Sequence, residues 1–533
     1  MKICIVRIKQ GTGKKMRDNY WTFFYEKIIR NKMIIWGCIF IGVAAYGFTI
    51  TNFSIGVDDP AAIHYLHTGG RGNMLQQGRF FHIIFNWITG MVTFLPFLND
   101  FLGATFFVLS SLLFAGLAKY VAKAFGGVIS DLSILVFCGI FISYSIINEK
   151  YIYNLDVVVT MLSYVMIALS LIFTYQVIWE KKHKKLLLAV FALILGISAY
   201  ESFVFVYTEG ILFIILIEAV FREDITIRDA FIKGIKSCTI LSISMIIYYT
   251  IVVFVQIRTG QYNKFSRRPI WEGGITKERI KAVLIDIYVN FTNFDYFPIR
   301  EFIMVMGLGL AIFFIISIHR KTILIFLIYV GMIVMNFTIH IMAGRVMYSA
   351  GQTMCLFVAG TIIVVLHFIE KISKMKVVAY GCCVWLMLLQ LIDLNRWFYN
   401  DYSRYKKEEF VLNCIAMKLL VECDVSKPVI FANRNWDSYL YSKQNGNQTN
   451  GNSMLIWGIG TFDDVGSPTM IEIFKMHGYY FLRQPSQQLE EEGRAIAKSM
   501  PEWPLEGSIR EFDDYIVVNF KTKIYENKYS TVE

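Results

Sequence analysis

Two adjacent carboxylates and two arginines follow the first strongly apolar run of the chain. They lie in residues 51–87, TNFSIGVDDPAAIHYLHTGGRGNMLQQGRFFHIIFNW, as Asp58, Asp59, Arg71 and Arg79. A carboxylate at the edge of a membrane can act as a general base that takes a proton from an attacking sugar hydroxyl. A guanidinium group can bind a phosphate through two parallel hydrogen bonds, and a neighbouring glycine permits close approach. These residue types therefore suit a transfer reaction on a phosphate-bearing substrate.

The same side chains also have structural interpretations. Asp59 precedes Pro60, and this pair is typical of a helix start, with aspartate as the N-cap and proline in the first helical position. That interpretation leaves Asp58 without a structural role, so Asp58 is the stronger candidate for the base. Arg79 could instead extend its guanidinium group to the membrane surface as an anchor. The residues alone leave both interpretations of Arg79 open.

The composition predicts that these residues belong to a polytopic membrane protein. The 533 residues are 56% hydrophobic and only 17% charged, whereas about a quarter of the residues in soluble domains are charged. The apolar residues come in runs of about 20, the length that spans a bilayer as a helix. The net charge of +11 reflects lysine and arginine on the cytoplasmic side and does not indicate a nucleic-acid partner.

The apolar runs predict about eleven membrane helices. They lie at about 33–50, 101–118, 132–147, 155–179, 186–200, 203–221, 237–257, 301–318, 322–340, 347–368 and 377–394. The loops assigned inside are basic: 119–123, 180–185, 221–236, 319–321 and 370–376. This charge sorting predicts a cytoplasmic N-terminus. The apolar stretch 80–98 would invert every later loop if it were a span, so we predict a helix that lies in the outer interface or dips back into the bundle.

Three regions follow from this layout. Residues 1–32 form a basic cytoplasmic N-terminus, and residues 33–394 form the bundle, with outer loops at 51–100 and 258–300. From residue 395 the composition becomes that of a soluble domain. There we predict strands at 427–432 and 514–520 and helices at 402–423 and 467–478. We therefore expect a small α/β domain over 395–533, outside the cell by the helix count.

Further polar residues gather at the outer ends of the predicted helices. Glu149, Lys150 and Asp156 flank the outer start of one span, and Arg345 begins a later one. Acids at a membrane edge indicate function because their burial is costly. Glu209 lies within a predicted span, but the membrane midplane is otherwise nearly free of charge, whereas transporters place charges or broken helices there. The pattern favours an enzyme that acts at the outer membrane face on a lipid-anchored anionic substrate.

Several motifs together resemble those of a known family. They are the DD…QGR loop, the YIYNLDVVVTMLS stretch, the GRVMY start of a late span and the NRWFYNDYSRYKKEEF entry into the terminal domain. The chain resembles the bacterial glucosyltransferases that decorate O-antigen and related surface polysaccharides. These are polytopic, C-type (GT-C) glycosyltransferases.

The resemblance implies transfer of a hexose, glucose in the first instance, from an undecaprenyl-phosphate-linked donor to a surface glycan, with inversion, at the outer face of the bacterial cytoplasmic membrane. Asp58 or Asp59 would be the base, and Asp156 would position the acceptor. The donor phosphate would be held by Arg79, Arg345 and Lys150. The implied partners are the lipid donor, the glycan acceptor and the bilayer, together with a donor synthase and a donor flippase.

No metal site or cofactor is predicted, although two adjacent acids could hold a divalent cation. Three other functions remain open at this point, one of which is a scaffold whose outer α/β domain binds glycan while the bundle only anchors it. A polysaccharide polymerase would depend on the basic outer loops more than on an acid in the first loop. A flippase for lipid-linked glycans would line a path with polar residues at the midplane.

Overall fold

The structure, a computed structural model, describes residues 19–56, 59, 74–75, 77–91, 95–151, 153–259, 275–292, 300–320, 322–343, 347–433 and 467–520. It is mainly helical. The longer helices are α1 (Lys32–Thr51), α2 (Phe80–Thr89), α3 (Pro96–Ala124), α4 (Asp131–Ile142), α5 (Asn154–Ile178), α6 (Leu186–Ile197), α7 (Phe203–Phe221), α8 (Ile227–Thr259), α9 (Lys277–Thr292), α10 (Arg300–His319), α11 (Leu324–Ala343), α12 (Met347–Ile369), α13 (Ser373–Glu422), α14 (Ser467–Met476) and α15 (Gln487–Ala497). Short helical turns lie at Tyr20–Phe24, Tyr25–Ile29, Ser145–Ile147, Asn148–Tyr151 and His183–Lys185.

Within the described residues, eight helices are long and apolar enough to cross a membrane: α1, α3, α5, α7, α8, α10, α12 and α13. Helix α4 and the turns that follow it, bent by 40°, make a ninth if the pair is one span. The protein is thus a multi-pass membrane protein, but the predicted count of eleven is not confirmed. Helix α6, for example, has 12 residues and reaches about 18 Å at 1.5 Å per residue.

The stretch 80–98, predicted as one helix, is divided between two. Helix α2 ends at Gly90, which adopts the left-handed conformation with φ of 70°, a common way to end a helix. Pro96 then occupies the first turn of α3, where its missing N–H is tolerated. The ten residues of α2 measure about 15 Å, so α2 is too short to span the membrane. Its place in the outer interface remains a prediction.

Loops that were predicted on the same side meet at the same end of the bundle. The Tyr120 hydroxyl donates to Glu180 at 2.6 Å, Lys233 pairs with Glu218, and Arg320 donates to the carbonyl of Ala219 at 3.1 Å. These contacts join the loops predicted inside. Other contacts join Asp59, residues 79–82, residues 149–151, residues 153–156 and residues 199–201 at the opposite end, which we call the acidic end.

The C-terminal region is a small sheet with helices. Its strands are β1 (Val429–Ala432), β2 (Ile509–Glu511) and β3 (Ile516–Asn519), in the order β1-β3-β2. Strand β1 is parallel to β3, and β2 is antiparallel to it. The predicted strands at 427–432 and 514–520 and the predicted helix ending near Gly478 are confirmed. Helix α13 runs without a break from 373 to 422, and so connects the bundle directly to this region.

Candidate active site

The candidate site is built around the first turn of α5, where one predicted acid is held by the backbone. Asp59 is 1% exposed. One of its carboxylate oxygens accepts from the N–H of Leu155 at 3.3 Å, and the other accepts from the N–H of Gly56 at 2.9 Å. The N–H groups of a first helical turn have no partner within the helix, and the helix dipole favours an anion there. The Asp59 carboxylate therefore fastens the loop after α1 to the start of α5.

A second acid, Asp156, lies in the same turn and faces two cationic or potentially cationic groups. Arg79 Nη1 is 3.8 Å from Asp156 Oδ2, and His82 Nδ1 is 3.6 Å from Asp156 Oδ1. Arg79 and Asp156 are each 29% exposed, so a ligand can reach both. Both distances exceed those of good hydrogen bonds, and Asp156 Oδ1 is buried without a hydrogen-bond partner in the described part of the chain. The Arg79–Asp156 pair is thus loose enough to accept a further partner.

His82 holds this region against the turn after α6. Its Nε2 lies 3.2 Å from the carbonyl oxygen of Ala199, and its ring is 2% exposed. Burial lowers the pKa of His82, and the nearby Asp156 opposes this only in part. Burial therefore disfavours a charge on His82, and Arg79 is the cation beside Asp156.

Two cations meet at one aromatic ring. The Arg79 guanidinium carbon lies 4.8 Å from the ring centroid of Tyr200, and Lys150 Nζ lies 4.6 Å from it. Both distances are typical of cation–π contacts. Lys150 is 8% exposed, so solvent screens its charge little. Two positive charges gathered on one ring form a place where an anion would be stabilised.

A glycine turn sets the position of Arg79. Gly78 has φ of 77°, a conformation that favours glycine. A Cβ at this position would clash with the hydroxyl of Tyr248, which donates to Glu201 at 3.1 Å. Gly78 therefore allows the turn before α2 to approach α8 closely, and Arg79 follows directly at the start of α2. The glycine of the QGR motif is thus needed for two reasons: it adopts the left-handed conformation, and it leaves room for Tyr248.

Buried amides and a further acid support the start of α5 from α3. Asn154 Nδ2 donates to Asp100 Oδ1 at 3.0 Å, and Asn99 Nδ2 donates to Asn154 Oδ1 at 2.9 Å. The Thr49 hydroxyl donates to the other Asp100 oxygen at 2.9 Å. These bonds connect α1, α3 and α5, and they fix the helix end that carries Leu155 and Asp156. Buried polar networks of this kind favour one arrangement when their members are paired.

The model of the family described as Glucosyl transferase GtrII matches residues 47–368, more than half of the chain. The chain belongs to this family. Among individually curated proteins, no sequence matches it. As a GtrII-family protein it is a glycosyltransferase, and the resemblance noted from its motifs is confirmed. All predicted site residues lie inside the matched range, whereas α13 and the C-terminal sheet lie outside it.

In this GtrII-family protein, four of the predicted site residues are brought together. Asp59, Asp156, Arg79 and Lys150 all lie around the first turn of α5 and the Tyr200 ring. Asp58 and Arg345 lie outside the described residues. Sequence reasoning missed Tyr200, although it lies in the AYES turn, and it did not single out Asn154 within the YIYNLD motif. Within the described residues, no group of three or more His, Cys, Asp or Glu side chains could hold a metal ion.

An apolar groove of about 570 Å³ adjoins the start of α5 through its lining residue Pro96. It lies between the end of α1 and the start of α3. Its lining residues are Ile50, Thr51, Phe53, Leu95, Pro96, Phe97 and Leu98. The carbonyl oxygen of Pro96 accepts from Asn154 Nδ2 at 3.2 Å, so one wall of the groove contacts the first turn of α5.

Proposed function

We propose that this GtrII-family enzyme transfers glucose from a polyprenyl-phosphate-linked donor to a surface glycan at the outer face of the cytoplasmic membrane. The observation that carries the proposal is the meeting of two acids and two cations at the first turn of α5. Arg79 and Lys150 share the Tyr200 ring, and Asp156 lies within 3.8 Å of Arg79. A transfer from a lipid phosphate needs positive charge at the leaving group and a carboxylate at the attacking hydroxyl.

The donor phosphate is assigned to Arg79 and Lys150, with Arg345 as a further candidate from the sequence. As the bond from the anomeric carbon to the phosphate oxygen breaks, negative charge develops on the lipid phosphate. Cations that are already held where this charge develops stabilise it, and they lower the barrier because they need not move during the reaction. Lys150 is almost fully buried, so its charge acts in a medium of low dielectric constant. The apolar groove beside the site offers space for part of the isoprenoid chain.

The base is assigned to Asp58. Its neighbour Asp59 is buried, and both of its carboxylate oxygens already accept from backbone N–H groups, so neither oxygen is placed to meet a substrate hydroxyl. Asp59 is thus better suited to anchoring, while Asp58 takes the proton from the acceptor hydroxyl. The hydroxyl oxygen bonds to the anomeric carbon as the polyprenyl phosphate leaves. Displacement in one step from the opposite side inverts the anomeric centre, and Asp156 would orient the acceptor.

The test is transfer of radiolabelled glucose from synthetic polyprenyl-phosphate glucose to glycan in membranes from cells that express the protein. We expect Asp58→Asn to lower kcat by about 10²- to 10⁴-fold, the usual contribution of a general base. Asp59→Asn should have a smaller effect. Asp513→Asn is the matched control because it makes the same change at an exposed acid near β3.

Two outcomes would contradict the proposal. Full activity in both Asp58→Asn and Asp59→Asn would remove this pair of acids from the chemistry. Absence of transfer by the wild type, together with movement of the intact labelled lipid across the membrane, would favour the flippase alternative.

A further inference from the structure

A buried ion-pair network on α13 lies directly behind the loop that carries the two acids. Arg404 is fully buried, and its Nη1 donates to Glu408 Oε2 at 2.8 Å. Its Nε and Nη2 both donate to Asp401 Oδ1, at 3.0 Å and 2.7 Å. Removing an arginine from water is costly unless its hydrogen bonds are well satisfied. Here three hydrogen bonds to two carboxylates satisfy the arginine. The network lies on α13, outside the range matched by the family model.

This network extends beyond α13 to the loop after α1. Arg404 Nη2 also donates to the carbonyl oxygen of Ile55 at 3.3 Å, and the Ser54 hydroxyl donates to Asp401. The partners are about 350 positions apart in the sequence, so these contacts form only in the folded protein. Charge-assisted bonds such as Ser54 to Asp401 are stronger than bonds between neutral groups.

The side chain of Ile55 adds an apolar attachment at the same place. Ile55 is 1% exposed and packs in a core formed with Tyr405 and Leu412 of α13 and Phe474 of α14, a core that also includes residues of β1 and β3. The loop after α1 is therefore part of the hydrophobic core of the C-terminal region. It is held there by its backbone, by a hydroxyl and by an apolar side chain.

The next residues of this loop are fixed to the bundle. The N–H of Gly56 and the N–H of Leu155 both donate to Asp59. Between Ser54 and Asp59 the chain is thus attached to α13 at one end and to α5 at the other. Asp58 immediately precedes the second attachment. Any displacement of the first attachment would move this short segment relative to α5.

We propose that Asp401, Arg404 and Ser54, which we call the α13 clamp, are positioning residues for sugar transfer. The clamp fixes Ser54 and Ile55, and so fixes the position from which the chain enters the acidic pair. It also makes the C-terminal region a part of the active-site scaffold. The inference rests on the proposed function, because it acts through the base assigned there.

Ser54→Ala is the first test because it removes only the contact on the loop side. Arg404→Gln would leave Asp401 and Glu408 as buried charges without their cation, and the protein could then fail to fold. A small misplacement of a catalytic group can cost up to about 10²-fold in rate. We therefore expect Ser54→Ala to lower kcat by about tenfold, with KM for polyprenyl-phosphate glucose unchanged, since Arg79 and Lys150 are not affected.

Three further variants complete the test, and the first two distinguish positioning from a general loss of stability. Ser54→Thr keeps the hydroxyl and should restore kcat to near the wild-type value. Ser499→Ala is the matched control, because the Ser499 hydroxyl donates only within its own turn, to Ile496 at 2.8 Å; it should leave kcat and KM unchanged. Asp401→Asn removes a charge from the pair with Arg404 as well as changing the Ser54 contact, so it should lower kcat at least as much as Ser54→Ala.

The results separate this inference from the proposed function. If Asp58→Asn loses transfer while Ser54→Ala and Asp401→Asn keep the wild-type kcat, the clamp is overturned and the proposed function stands. If Ser54→Ala lowers activity only in proportion to the folded fraction, and Ser54→Thr does not restore it, the role is purely structural and the clamp is again overturned. If Asp58→Asn is fully active, the proposed function fails, and the clamp fails with it.

Discussion

Arg79 is the residue whose environment fits binding of a ligand phosphate most directly. Its guanidinium carbon lies 4.8 Å from the centroid of the Tyr200 ring, its Nη1 lies 3.8 Å from Asp156, and its side chain is 29% exposed. Lysine would keep the charge but lose the planar pair of donors that matches a phosphate. We expect Arg79→Lys to raise KM for the lipid-linked donor by about tenfold, the lower end for a lost hydrogen bond to a charged group, and Arg79→Gln to raise it more.

The measurement is the initial rate of transfer at varied concentrations of polyprenyl-phosphate glucose. Arg510→Lys in β2 is the matched control, since Arg510 is exposed and far along the chain from the site. An unchanged KM in Arg79→Lys, with only a slight change in Arg79→Gln, would contradict phosphate binding. Arg79 would then be an anchor at the membrane surface, the second interpretation of this residue.

For single residues, the sequence was enough to identify the charged side chains of the site, but not the uncharged residue that two of them contact. Asp59, Asp156, Arg79 and Lys150 could be predicted because acids and arginines at the ends of apolar runs stand out. Tyr200 could not, because a tyrosine in an apolar chain carries no signal until two cations are seen beside it. Arg404 could not be predicted either. Its acids lie three and four residues away along the helix, a spacing that ion pairs on a solvent-exposed helix also have.

Among the elements, α2 shows how a glycine determines the architecture near the site. Gly90 adopts φ of 70°, and no heavy atom lies within 4 Å of the Cβ that a larger residue would have. Gly90→Ala should therefore act through backbone strain alone. We expect it to destabilise the protein by about 1 kcal/mol, the usual cost of the left-handed conformation for a residue with a Cβ. Thermal unfolding of the purified protein measures this.

Gly381→Ala in α13 provides the opposite control. A Cβ at Gly381 also has no neighbour within 4 Å, but the residue lies inside a helix. Alanine is preferred there by about 0.5–1 kcal/mol, so this variant should unfold at the same or a higher temperature. A stabilised Gly90→Ala variant would show that α2 and α3 tolerate a continuous helix, as the apolar run at 80–98 suggested.

The elements themselves were largely predictable, whereas their ends were not. Each predicted span has a helix at its position, because apolar runs between basic loops are a strong signal. Helix α13 extends to residue 422, far beyond its apolar part, since the polar stretch after 395 has a helical pattern of its own. Strand β2 was not predicted, because its three residues are too few to show an alternation of apolar and polar side chains.

For the whole molecule, the contacts sort the loops into two ends that agree with their charge. Basic loops meet at one end, while Asp59, Asp156 and the α13 clamp meet at the other. The long helix α13 carries the C-terminal sheet to the acidic end, where Ile55 enters its core. If basic loops face the cytoplasm, the site and the C-terminal region both face outward, where a surface glycan would be available as acceptor.

Cysteine labelling in intact cells tests this orientation. In a background without the nine native cysteines, Lys498→Cys places a thiol at an exposed position after α15, and Lys184→Cys places one in an exposed basic loop. We expect a membrane-impermeant maleimide to label Lys498→Cys in intact cells and Lys184→Cys only after the membrane is permeabilised. The two substitutions control each other because both replace an exposed lysine. The reverse pattern would put the Arg79–Asp156 site on the cytoplasmic face, and an acceptor at the cell surface would then be excluded.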